Sequence, residues 1–440
     1  MRDEQHKQLN QSLLSFLDSS PTPFHATQNM QAALSAAGFE QLDESDSWSL
    51  QGGGRYFVTR NDSSLIAWQQ GQKPVEEQGI RMLGAHTDSP NLRVRPNAVK
   101  KTRGVTQLAV DVYGGVLLNP WFDRDLSLAG RVHYERQSNA KTGSVDSTLV
   151  DLKCPVGILP SLAIHLDREA NSKRSVNAQL HTPVYIAAAG LPSDAGANGD
   201  DEFRQLMLKQ VQTVDAEAAR VLDYEVAFYD VQPAAIVGIN GDLIASARLD
   251  NLLSCYVDMR AFIDSEQDDW KLLVCSDHEE VGSQSSSGAA GPFLRQTLER
   301  ITGGAEAMSR AMHQSMLIST DNAHAQHANY VEKMEPAHSP ALNGGPVIKV
   351  NANQRYASNS ETQALFRSLC ERHEVPVQSF VTRGDMGCGS TIGPITSAEI
   401  GVKTLDLGVP TLAMHSIRET AGYDDPWHLY RALKHFLQRD

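Results

Sequence analysis

Apolar residues run along this chain in two rhythms, and the points where one gives way to the other outline its elements. Short continuous runs such as Leu272-Leu273-Val274-Cys275 suit a strand buried on both faces, because neither face has to meet water. Longer stretches with apolar residues on a helical repeat lie between these runs, the alternation expected of an α/β sheet with helices on its faces. LLSFLDSS and TPFHATQNMQAALSAAGF predict two helices separated at Pro21. GIRMLGAHTDSP (79–90) predicts a strand running into a turn closed by Pro90, and LIASARLDNLLSCYVDMRAFID (243–264) a strand that becomes a helix near Leu249. Strands are expected again in KLLVCSDHEE, SMLISTDNAH (315–324), PVIKVNA (346–352), PVQSFVT and TLDLGVPTLAMHS (404–416). ETQALFRSLCERH predicts a helix, and DPWHLYRALKHFLQRD an amphipathic helix that closes the chain.

Between residues 91 and 232 the texture changes. TQLAVDVYGG, AGRVHYE and DYEVAFYD alternate apolar and polar positions with turns between them, which fits antiparallel strands wetted on one side. This predicts a second module, 91–232, inserted into a discontinuous α/β domain made of 1–90 and 233–440. Within it LPSDAGANGDDEF (191–203), rich in Gly, Asp and Ala, is expected to be a mobile loop. The chain shows no internal repeat.

Composition narrows the class without naming a function. At 440 residues, 41% hydrophobic and 21% charged, the chain can bury more than one core, and disordered or fibrous classes are excluded. A formal net charge of -14 argues against a nucleic-acid partner, since phosphate contacts need clustered Lys and Arg. No apolar run reaches the roughly 18 residues that span a bilayer, and the charged N-terminus lacks the apolar core of a signal peptide, so no membrane association is expected. Five dispersed cysteines without a C-x-x-C pair predict free thiols in a reducing compartment, the cytoplasm.

Candidate chemistry sits where the apolar runs stop. His86 and Asp88 follow one run, Asp250 another, Glu279 and Glu280 a third, Asp321 a fourth and His415 a fifth. Strand ends in an open α/β sheet converge on one crevice, so residues far apart in sequence can share a site there. Adjacent carboxylates at the mouth of a core repel unless one is protonated or both face a cation. Imidazole and carboxylate without thiolate suit a divalent ion such as zinc in an open, catalytic site. Two ions roughly 3.5 to 4 Å apart, sharing one carboxylate, would use about five ligands, with Asp250 at its strand-to-helix turn as the bridge. That count leaves one glutamate over, and a carboxylate free of metal beside a metal-bound water is placed as a general base.

HTDSP, RLDN, DHEEVGS, STDNAH, GPVIKVNANQRYASN, GCGSTIGP and MHSIRE together resemble the aspartyl aminopeptidases, a family of di-zinc metallopeptidases, over nearly the whole chain. The resemblance implies a zinc-exopeptidase domain with a mixed central sheet flanked by helices, interrupted by a mainly β dimerisation domain. It implies two zinc ions per subunit, which cobalt or manganese could replace: His86 and Asp321 on one, Glu280 and His415 on the other, Asp250 on both. Glu279 matches the general base, and Asp88 the residue that orients His86. His324, Lys349 and Tyr356 match substrate-binding positions, and His165 a histidine inserted into a neighbouring subunit's active site. The activity implied is hydrolysis of acidic N-terminal residues from peptides by a homo-oligomer, a dodecamer built from dimers.

Each residue also has a plainer reading. An Asp or His at a strand end often only satisfies backbone groups. Lys349 in VIKV could emerge at an exposed edge, His165 in AIHL could be a satisfied core histidine, and Cys388 in GDMGCGSTIGP has no base to make it a nucleophile. The competing functions are a di-zinc exopeptidase or deacylase of different specificity and an oligomeric scaffold with structural metals.

Overall fold

A computed structural model describes residues 3–139, 143–189, 199–266 and 269–439. The chain divides into two compact units. One holds the residues up to Ser89, Ala234–Met414 and those from Glu419 on; the other holds Pro90–Pro233 with the short return His415–Arg418.

The first unit is built on a nine-stranded mixed sheet in the order Glu40–Gln41, Arg55–Arg60, Ser64–Gln69, Lys271–Ser276, Arg81–His86, Met316–Thr320, Lys403–Gly408, Val347–Val350, Gln378–Val381. Its four central strands, from Lys271–Ser276 to Lys403–Gly408, are parallel, and antiparallel neighbours flank them on both sides. Both faces are buried, as the continuous apolar runs require. Leu273 and Cys275 point into one cluster with Leu253, Phe262 and Leu433, while Leu272 and Val274 point into another with Trp68, Phe293 and Leu298. The predicted helices form at Glu4–Asp18, Pro23–Ala36, Leu249–Ile263, Ser360–Arg372 and Asp425–Gln438. Two more, Phe293–Thr302 and Ala305–Gln314, also cover the sheet.

Two expected strands each split: SMLISTDNAH forms Met316–Thr320 in the large sheet and Ala323–His324 in a second one, and TLDLGVPTLAMHS divides in the same way. TLDLGVPTLAMHS forms Lys403–Gly408 in the large sheet and Pro410–Leu412 in a separate five-stranded sheet with Ala323–His324, Glu419–Gly422, Leu243–Ser246 and Ala235–Val237. Pro410 has no N–H to continue a ladder, and the break falls beside it.

The second unit carries a six-stranded sheet, Asp146–Asp151, Leu126–Arg136, Ala218–Asp230, Asn91–Thr102, Val105–Tyr113, Val184–Ala187, in which every pair is antiparallel. Part of the loop expected over 191–203 lies outside the described residues, but its last residues belong to a helix, Gly199–Gln212. Phe203, Met207 and Val211, four apart, put one apolar stripe of that helix into the core of the unit, which is why glycine content misleads here.

Candidate metal centre

Parallel strands deliver the first residues of the site to one edge. Ser276 pairs with His86, and Ser319 with Gly84, so the segments that leave these strands start side by side. His86, the last residue of Arg81–His86, is 1% exposed. Its Nε2 lies 3.3 Å from Asp250 Oδ1 and 3.7 Å from Asp321 Oδ1. Its Nδ1 faces Asp88, 3.1 Å from the carbonyl oxygen and 3.3 Å from Oδ1. A ring held from behind in this way presents the other nitrogen in a set direction.

Asp250 enters from an irregular first turn of Leu249–Ile263, where Arg248 has a positive φ of 58° and the Asp250–Asn251 peptide is cis. The turn is held from both sides: Asp250 N–H donates to Glu419 Oε2 at 2.9 Å, and Ser89 Oγ donates to Asp250 C=O at 2.6 Å. Sequence reasoning passed over Ser89 and Glu419 although both lie in the quoted HTDSP and MHSIRE stretches. A side chain that bonds a remote backbone group leaves no spacing pattern to find.

The adjacent glutamates follow Lys271–Ser276 through a turn in which His278 has a φ of 66°. Asp88 accepts both of their backbone N–H groups, Oδ1 from Glu279 at 3.0 Å and Oδ2 from Glu280 at 3.1 Å. Ligand-type atoms of His86, Asp250 and Asp321 lie within 4.8 Å of one another, as do those of His86, Glu279 and Glu280. Burial pushes the Glu279 carboxyl up to about 7; the His86 charge opposes this, and Asp321, Asp250 and Asp88 add to it. Burial works against a charged His86, yet the carboxylates of Asp250, Asp321 and Asp88 around it hold its imidazole well above the ordinary value. The cluster is short of positive charge. Oxygen and imidazole donors at this spacing, with no thiolate among them, fit a hard-to-borderline divalent ion such as zinc.

His415 belongs to the second unit, with a φ of 66° and Nδ1 3.0 Å from the carbonyl oxygen of Gly115. His165 lies there too, as an exposed turn residue, which overturns its reading as a core histidine. Lys349 is no edge residue: Val347–Val350 is paired on both sides, the side chain is buried, and Nζ lies 3.3 Å from Asp321 Oδ2 and 5.5 Å above the Tyr356 ring. Beside it a cavity of about 310 Å³ is lined by His324, Tyr356, Phe380, Arg383 and Cys388, with the exposed His324 ring edge-on to Phe380 at 5.6 Å. Cys388 accepts a hydrogen bond from Thr382 Oγ1 at 3.2 Å.

A family profile described as aminopeptidase I zinc metalloprotease (M18) matches residues 16–437. Among curated proteins, a probable M18 family aminopeptidase 2 of Stutzerimonas stutzeri is 54% identical over 437 residues, 99% of this chain and 98% of its own length. Among solved structures, a chain of the Ape4 and Nbr1 complex is 38% identical with a TM-score of 0.94, covering 99% of this chain and 86% of that one. The S. cerevisiae mApe1 dodecamer is 26% identical with a TM-score of 0.84, covering 99% and 97%. By the extent of the profile match and the identity to its relatives, the chain belongs to the M18 family of aminopeptidase I zinc metalloproteases.

Proposed function

We propose that this protein is a two-zinc aminopeptidase that removes acidic residues, Asp or Glu, from the N-termini of peptides. The observation that carries the reading is the gathering of His86, Asp250, Asp321, Glu279 and Glu280 at one edge of the sheet, in a family described as zinc metalloproteases. In this reading His86 and Asp321 would hold one zinc, Glu280 and His415 the other, and Asp250 would serve both. Bound there, zinc supplies Lewis acidity toward the scissile carbonyl and lowers the pKa of water. Glu279, the carboxylate left without a metal, takes a proton from the attacking water at a carboxylate oxygen and returns it to the leaving amine. Asp88 fixes the turn that carries both glutamates by accepting their consecutive N–H groups. The Lys349 ammonium, buried beside Asp321, pairs with the substrate's acidic side chain, while Tyr356 and His324 line the cavity next to it.

The same reading has the second unit as a dimerisation module in a homo-oligomer, dimers assembling into a dodecamer as mApe1 does, with His165 reaching a neighbouring subunit. Exposed Leu162, Ile164 and Leu166 around His165 support it, because apolar side chains grouped in water favour a cover. Five free cysteines suit a reducing compartment, the cytoplasm.

Zinc analysis of purified variants tests the assignment. Wild type should carry two zinc ions per chain, and Glu279→Ala should keep both while turnover falls about 10²- to 10⁴-fold. His86→Ala and Asp321→Ala should each lose zinc. Full turnover in Glu279→Ala, or full zinc in His86→Ala, would remove the reading.

A further inference from the structure

Beneath the ligand set lies a carboxyl group that the proposed chemistry does not use. Asp258 is fully buried, two turns along the helix Leu249–Ile263 from Asp250. Its Oδ2 lies 2.5 Å from Thr320 Oγ1, and its Oδ1 has no hydrogen-bond partner among the described residues. Thr320 Oγ1 is also 3.0 Å from the carbonyl oxygen of Gly84. A hydroxyl has one proton, and a carbonyl oxygen can only accept. If Thr320 donates to Gly84, the proton between Thr320 and Asp258 has to come from Asp258. An ionised carboxylate with one hydrogen bond in a dry core would carry a large desolvation cost, whereas the neutral acid completes a relay, Asp258 O–H to Thr320 O–H to Gly84 C=O. Burial accordingly holds this carboxyl well above the carboxylate range.

The relay joins the three elements that carry the first-named ligands. Gly84 is two residues before His86, Thr320 immediately precedes Asp321, and Asp258 shares its helix with Asp250. Two further bonds tie the same pieces: Asn251 Nδ2 donates to Thr320 C=O at 2.8 Å, and Cys255 Sγ to His86 C=O at 3.0 Å. We propose that Asp258 is a positioning residue, protonated in the folded chain, that acts through Thr320 to hold the strand ends bearing His86 and Asp321 at metal-ligand spacing. The proposal rests on the zinc reading of those ligands; no hydrogen bond or ion pair joins Asp258 itself to any of them among the described residues.

Two measurements test it without relying on turnover. Infrared difference spectra of wild type against Asp258→Asn at neutral pH should show the carbonyl band of one buried protonated carboxylic acid, lost in the variant. A wild-type spectrum without that band overturns the protonated state. Zinc affinity, read by competition with a chromogenic chelator, should stay at the wild-type level in Asp258→Asn, whose amide can still donate to Thr320. It should stay there in Thr320→Ser and fall about 10- to 100-fold in the isosteric Thr320→Val. Zinc binding by wild type with an unchanged affinity in Thr320→Val overturns the positioning role alone. Absence of zinc uptake by wild type overturns the metal reading, and the positioning role with it.

Discussion

Asp88 bonds to three neighbours at once: the His86 ring and the N–H groups of Glu279 and Glu280. Its link to His86 is what the resemblance implies; its grip on the glutamates is visible only in three dimensions, because 191 residues separate the partners. Asp88→Ala should therefore weaken zinc binding and turnover together, each about 10- to 100-fold, and chelator competition with steady-state rates would check this. A loss confined to turnover would assign Asp88 to Glu279 alone. Asp258 allows a separate prediction about stability. A carboxyl that is protonated in the fold and ionised when unfolded binds its proton more tightly in the native state, so its contribution is present at low pH and lost as pH rises through the native pKa. Cys255, on the same helix, is a titratable group near it, and burial holds that thiol well above its usual value. Denaturation midpoints of Asp258→Asn should gain on wild type as the pH is raised; parallel curves would contradict the argument.

At the scale of elements, the central strands were legible because burial on both faces leaves an unbroken apolar run. Lys271–Ser276 and Met316–Thr320 follow from Leu272–Cys275 and Met316–Ile318 with no other information. What the runs do not encode is partnership. TLDLGVPTLAMHS reads as one strand and supplies two sheets, since only the missing N–H of Pro410 signals the break. The helix at Gly199–Gln212 was hidden by a glycine-rich lead although Phe203, Met207 and Val211 carry its period. Leu273, fully buried at the middle of its strand, gives the packing claim a number. Leu273→Ala should destabilise the protein by about 2 to 5 kcal/mol in denaturant unfolding, and less than about 1 kcal/mol would mean the core there is looser than described.

At the scale of the whole molecule, the family is readable from motifs spread along almost the full chain, and the profile match from 16 to 437 agrees with them. The change of rhythm near residue 91 and its end near 232 are visible in the sequence, and the two compact units divide at Ser89 and Ala234. The return of His415–Arg418 to the second unit is not visible there, because four residues are too few to show a pattern. Lys349 shows the same limit from the other side: VIKV looks like an edge strand until pairing on both sides buries the ammonium next to Asp321. In the proposed reading, a cation buried there is what ties the metal centre to acidic substrates. The most direct test is the rate at which zinc-loaded protein releases the first residue from matched peptides beginning with Asp, Glu, Leu or Ala. Fast release of Asp or Glu, near-inert Leu and Ala peptides, and loss of the difference in Lys349→Met are expected; faster release of Leu or Ala by the wild type would contradict a pocket for acidic residues.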